Sequence, residues 1–260
     1  MNRTATLLLA AMLGITAPPA LADETDPPPA LAITGSAAVV SDYRFRGLSQ
    51  SSGDPAVQGG VTVTHASGFY AGVWASSTKF DVLGAAPKDT YGHAEVDLIA
   101  GWSGPVSSLV TADVGLTYYA YPDGHAGKAN FAEPYASLSA TLGPVQGKLG
   151  AAYAWKQASL DGNADGKRDD SLYLYGELSG GVPNTPVSLA AHLGWTKGAL
   201  SPRFLTRQTA AYDGGFDANL TASYALNRNL SAALGYHAVA GRAIDGYSND
   251  TVVATLKFVF

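Results

Sequence analysis

From residue 31 to the C-terminus, apolar residues alternate with polar or small ones in runs of ten to fourteen, and a period of two belongs to β-strands, not helices. In the last run Val252, Ala254, Leu256, Phe258 and Phe260 share one face, while Thr251, Thr255 and Lys257 take the other. Around Asp113 the same parity sets Val110, Ala112, Val114, Leu116 and Tyr118 against Thr111, Asp113, Gly115, Thr117 and Tyr119. Twelve such runs can be counted, at about 31–45, 56–66, 69–79, 91–103, 108–121, 131–142, 145–157, 171–182, 187–196, 212–226, 229–240 and 250–260. An even number of amphipathic strands permits a closed antiparallel barrel.

The connections narrow the choice further. Ser67-Gly68, Gly104-Pro105-Val106, Gly143-Pro144, Pro183-Asn184-Thr185-Pro186 and Asn227-Arg228 are tight turns built from turn-forming residues. The remaining connections, near 46–55, 80–90, 122–130, 158–170, 197–211 and 241–249, are longer and rich in Gly, Asp, Ser and Lys. Short and long alternate throughout, as in an outer-membrane barrel with periplasmic turns and extracellular loops. A soluble β-sandwich also alternates in polarity, but its strands are shorter and its loops do not alternate in length.

Aromatic placement follows the same plan. On the apolar face Tyr43, Phe45, Tyr153, Trp155, Trp195, Phe216 and Tyr236 fall near the long-loop ends. Phe69, Trp102, Tyr224, Phe258 and Phe260 fall near the short-turn ends, with mostly Val, Leu and Ala between. Two aromatic girdles around an aliphatic band suit a lipid-facing surface. Charged residues are only 14% of the chain, where about 25% is typical of a soluble domain. After the first fifteen or so residues no apolar stretch approaches the ~18 that a transmembrane helix needs. Lipid offers no partner to an unpaired N–H or C=O, so a spanning sheet must close and the last strand should pair with the first. A net charge of −5 argues against a general nucleic-acid binder, and the absence of cysteine removes disulfides and thiolate sites. No cofactor is expected.

The N-terminus has the form of an export signal. Arg3 supplies a positive charge, Thr6 to Ile15 form an apolar core, and Ala20-Leu21-Ala22 is a small-x-small cleavage site. Residues 1–22 are therefore expected to be a signal peptide, 23–30 an acidic, Pro-rich tail, and 31–260 the transmembrane barrel.

Ser41-Asp42-Tyr43-Arg44-Phe45-Arg46-Gly47-Leu48-Ser49-Gln50, followed by Pro55, Gln58-Gly59-Gly60 and Gly68-Phe69-Tyr70-Ala71-Gly72-Val73-Trp74, resembles the opening signature of the TorF-like porins of Gram-negative bacteria. The dense match covers about residues 36–105, and strand rhythm carries the likeness to the end. The resemblance implies an outer-membrane barrel of porin type and leaves the solute open. The terminal Phe260, with apolar residues at every second position before it, resembles the closing strand by which bacterial outer-membrane proteins engage the barrel-assembly machinery. Outer-membrane lipid and small hydrophilic solutes are the other expected partners.

Parity also sorts the interior. The inward acids are Asp42, Glu95, Asp97, Asp113, Glu177 and Asp217, and the inward bases Arg44, Arg46, Lys148, Lys156 and Lys257, a near balance that predicts no strong ion selectivity. Asp42, Arg44 and Arg46 form a row at the outer end of the first strand. They could recognise a carboxylate or phosphate on a solute, or brace the barrel as an internal ion-pair network. Tyr119, Tyr173 and Tyr175 face inward as well, either as a slide for sugars or nucleosides or as packing in a plugged barrel.

Three other possibilities have weaker support. Asp161, Asn163, Asp165 and Asp169 place oxygen ligands at alternate positions around Gly166, like the start of a calcium loop, but Leu172 replaces the closing Glu and Lys167 and Arg168 oppose a cation. Barrel enzymes that hydrolyse lipids or esters need a His near a Ser and an acid. Of the five histidines only His93 has an inward carboxylate, Glu95, two residues away, and no nucleophile motif accompanies it. A structural or adhesive barrel without an open pore, with the 197–211 loop and its Arg203 and Arg207 as a contact surface, has nothing in the loop's chemistry to favour it. The mature protein should need detergent to stay dispersed; a compact, detergent-free monomer in analytical ultracentrifugation contradicts the barrel.

Overall fold

The structure, a computed structural model, describes residues 30–80, 91–124, 129–160, 168–206 and 214–260. The first strand, β1 (Leu31–Val40), is followed by a small hairpin of β2 (Arg44–Phe45) and β3 (Leu48–Ser49). Then come β4 (Ala56–His65), β5 (Phe69–Ser77), β6 (Ala94–Pro105), β7 (Val110–Ala120), β8 (Phe131–Leu142) and β9 (Val145–Gln157). The chain continues with β10 (Asp169–Gly181), β11 (Val187–Gly198), a short helix α1 (Pro202–Leu205), β12 (Gly215–Ala225), β13 (Leu230–Val239) and β14 (Thr251–Val259). The twelve long strands form one closed antiparallel barrel in which each pairs with its sequence neighbours, and β2 and β3 stand apart as their own sheet.

Closure runs through β1 and β14. Ser36 faces Val259, and the register continues to Val40 opposite Thr255. Gly35 and Phe260 exchange reciprocal backbone hydrogen bonds of 2.9 and 3.0 Å, so the last residue of the chain completes the ring. The strands thus form one closed ring, which is the condition for a sheet to lie in hydrocarbon.

Polarity is inverted relative to a water-soluble protein. Leu149 is 71% exposed on the outer face, whereas Asp97 and Thr196 are 0% exposed inside. Leu31, Ile33, Leu98, Leu138, Leu193 and Leu220 are also exposed, and an apolar skin of this extent is stable against lipid and not against water. The short turns behave as their residues require: Gly143 takes φ 61° in the two-residue β8–β9 connection, where a side chain would be strained.

The first strand is shorter than its alternation suggests. It stops at Val40, which faces the first residue of β4, Ala56, so the chain beyond has no partner to continue the ladder. Ser41 ties off the end: its N–H donates to the Ala254 carbonyl and its Oγ accepts from the Ala254 N–H, each at 2.9 Å. The chain then turns into the barrel, and Tyr43 and Phe45 leave the outer girdle expected for them. Tyr43 is buried beside Val40, Ala56 and Val253, and Phe45 packs on the inner wall.

The seam also generates a test. A side chain at Gly35 would overlap the Phe260 ring. Gly35→Leu should therefore push the Phe260 ring aside and weaken the seam, read as a lower temperature at which the refolded protein loses its heat-modifiable band shift on unboiled gels; an unchanged temperature contradicts the contact.

Candidate functional site

The segment after β1 crosses the lumen. Its turn residues Arg46 and Gly47 have φ 48° and 81°, the pair of positive values that a two-residue hairpin requires, and they join Phe45 to its partner Leu48. The tip reaches the far wall. In the ring order β8 and β10 lie almost opposite β1, yet the Arg46 guanidinium pairs with Glu133 of β8 at 2.6 Å and covers the Tyr173 ring of β10 at 4.2 Å. Phe45 meets Tyr119 of β7 edge-on at 5.7 Å. A Cβ on Gly47 would stand 2.7 Å from the Cβ of Val239 and 3.0 Å from that of Asp217, so glycine is required by contact as well as by φ.

A second set of bonds holds the hairpin's base. Arg44 Nε donates to Asp42 Oδ2 at 2.5 Å, and its Nη1 donates to the carbonyls of Gly47, Tyr247 and Asn249 at 3.0–3.1 Å. Asp42 Oδ1 accepts from the Ser49 and Ser51 hydroxyls at 2.5 and 3.2 Å, and the Ser49 N–H donates to the Tyr247 carbonyl at 2.8 Å. The Arg44 side chain is 3% exposed and spends its donors on the backbone, so it acts as a clamp and offers little to a solute. Here the geometry supports bracing over recognition.

Beside the hairpin, Glu95 and Asp97 share the inner face of β6, with Glu133 nearby on β8, all at 2% exposure or less. Tyr43 Oη donates to Glu95 Oε1 and Tyr119 Oη to Glu133 Oε2, each at 3.3 Å. Both oxygens of Asp97 lack a hydrogen-bond partner among the described residues.

Below the hairpin the wall becomes a polar, aromatic surface. His192 Nε2 lies 3.2 Å from Asp217 Oδ2 and its Nδ1 3.3 Å from Glu177 Oε1, and Lys148 Nζ sits 3.7 Å from Glu177. Tyr173 Oη contacts His192 Nε2 at 2.7 Å and donates to Asp217 at 3.1 Å. Tyr70 Oη donates to Asp113 at 2.6 Å and touches the Tyr135 hydroxyl. Tyr70, Tyr135 and Tyr175 are register partners of Gly101, Gly115 and Gly150, and a methyl group on any of these glycines would overlap the ring beside it. The rings therefore lie against the wall, over the glycines of the neighbouring strands. Towards the short-turn end the inward positions are small and hydrophilic, among them Ser36, Thr62, Ser139, Ser179, Thr221 and Thr255.

Several expected positions hold and several change. Glu95, Asp97, Asp113, Lys148, Glu177, Asp217 and Lys257 all occupy inward positions of their strands. Asp42, Arg44 and Arg46 are inside too, but on the infolded segment and not on the first strand. Lys156 is exposed at the long-loop end of β9, beyond the last enclosed residue Ala154, and leaves the interior set. Glu133 joins that set, which shifts the expected near balance towards acid; the parity of Phe131, Glu133 and Tyr135 within the 131–142 run carried the signal. The inward position of His192 follows from the same parity, whereas the ring-on-glycine pairs depend on the register between strands. Tyr119 and Tyr173 prove to be packing under the hairpin, whereas Tyr175 faces the bore.

His93 does not meet Glu95. Its side chain is 74% exposed and its Nδ1 lies 3.4 Å from Asp123, which accepts hydrogen bonds from the His93 and Ala94 N–H groups. Those bonds hold the Asp123 carboxyl, in the β7–β8 loop, below the usual carboxylate range. Of the calcium-loop positions, Asp161, Asn163 and Asp165 lie outside the described residues, and Asp169 opens β10. Arg203 sits in α1, and Arg207 lies outside the described residues.

A model of Gcw_chp, a bacterial family described as of unknown function, matches residues 24–256. The chain belongs to this family. Among curated proteins none matches. Solved outer-membrane barrels share the fold, among them the following two. The NanC porin in a rhombohedral crystal form aligns at 12% identity and a TM-score of 0.56, covering 88% of this chain and 98% of that one. The KdgM porin in complex with disordered oligogalacturonate aligns at 10% and 0.54, with the same coverage.

Removing one partner of a buried ion pair leaves the other charge unpaired, at a cost of roughly 3–5 kcal/mol. Glu133→Ala should destabilise the docked hairpin on that scale and expose its peptide bonds to limited proteolysis, with the barrel strands intact. Unaltered protection of residues 42–51 would contradict the role of the pair.

Proposed function

We propose that this protein is an outer-membrane porin that lets small hydrophilic solutes diffuse passively, with its bore set by the infolded hairpin. The single observation that carries this is the inside-out distribution of polarity: an aliphatic exterior encloses a lumen whose lower half is lined by hydroxyl and glycine surface. Twelve strands enclose more space than the eight whose side chains just fill the interior, and short hydroxyl and glycine residues leave part of that space to water.

In this assignment residues 1–22 direct export, the long loops face outwards, and the closing strand ending at Phe260 is what the assembly machinery reads. The stretch Ser41 to Gln50 that resembles the TorF-like porins is the same stretch that forms the constriction. Arg46 narrows the bore, while Asp113, Lys148, Glu177, Asp217 and Lys257 line the passage beneath it.

Planar-bilayer recording of refolded protein tests this directly. Replacing residues 42–51 by a short Gly-Ser turn should raise single-channel conductance several-fold. Arg46→Ala should raise it less, and Arg44→Ala should act through a loosened base. A wild-type and a hairpin-less barrel that both carry no current contradict the porin assignment.

A further inference from the structure

We propose that the flat tyrosines of the mid-lumen form a binding site for the pyranose rings of a neutral oligosaccharide. The proposal rests on the porin assignment only for how the sugar reaches the lumen. Tyr135 of β8 and Tyr175 of β10 point inward from a closed barrel and both keep partial exposure, so the accessible part of each side chain opens onto the bore. Glycines on the neighbouring strands hold these rings parallel to the wall: Gly115 beneath Tyr135 and Gly150 beneath Tyr175. A ring lying this way offers its face, not its edge, to a solute, and the C–H faces of sugars stack on aromatic faces.

The surrounding polar groups match hydroxyls better than ions. Lys148 is engaged with Glu177, His192 bridges Glu177 and Asp217, and Asp113 accepts from Tyr70. Lys148 already faces Glu177, and Asp113 is held by a hydroxyl, so the cluster offers an anionic solute little to pair with. The remaining donor and acceptor capacity suits the paired hydroxyls of a hexose. Lys148 and Glu177 retain 14% and 25% side-chain exposure, enough to be reached from the bore. Tyr173 does not contribute, because Arg46 covers its ring at 4.2 Å; over Tyr175 the Lys148 Nζ stands farther off, 5.5 Å from the centroid, where it shares that face with the sugar and donates to its hydroxyls.

The test uses full-length mature protein folded in an amine-oxide detergent, titrated calorimetrically with maltohexaose and, for comparison, with a polyethylene glycol of similar length. The wild type should bind maltohexaose and not the glycol. Tyr135→Leu and Tyr175→Leu should each weaken binding about tenfold, while Tyr175→Phe stays within about threefold. Should the leucine variants fail to fold, saturation-transfer NMR on the wild type decides: saturating tyrosine ring protons should reach the sugar ring protons. Absence of maltohexaose binding, equal binding by the leucine variants, or no transfer overturns the site. A conducting barrel that ignores maltohexaose keeps the pore and loses the sugar site, and a non-conducting barrel that binds it does the reverse.

Discussion

The unbroken ring of backbone hydrogen bonds is the constraint on which everything else depends. In an apolar surrounding an unpaired peptide group costs several kcal/mol, so twelve strands are viable only if the first pairs with the last. The reciprocal bonds of Gly35 and Phe260 and the register from Ser36 to Val40 supply that final ladder. Once closed, the sheet separates two environments by parity alone, and each residue's position in the alternation decides whether it meets lipid or lumen.

The enclosed side differs between its two halves. Near the long loops the hairpin brings Arg46 to Glu133 and Phe45 to Tyr119, and the buried acids Glu95 and Asp97 are sealed behind Tyr43. Arg46 tolerates a backbone conformation that side chains avoid because its guanidinium gains an ion pair and an aromatic face in return. Lower down, the inward side chains are tyrosines laid against glycines and short hydroxyl residues.

Much of this was legible before any coordinates. A period of two persists through 91–103, 108–121 and 212–226, and parity placed Asp97, Asp113 and Asp217 on the inside, as the strands do. Parity failed where its premise failed. From Asp42 onward the residues still alternate, but Ala56 has already begun the partner strand, so alternation there encodes a hairpin packed on both faces and not a wall. The reach of Arg46 to Glu133 spans 87 positions of sequence and has no local signature. The turn itself does have one, since Arg46-Gly47 sits between the apolar residues Phe45 and Leu48.

The Arg44 clamp ties the beginning of the chain to its end, because its carbonyl acceptors Tyr247 and Asn249 lie 203 and 205 residues downstream, in the connection just before the closing strand. Those acceptors lie in the connection between the final two strands, so one guanidinium fastens the base of the infolded hairpin to the last loop, beside the seam where the ring closes.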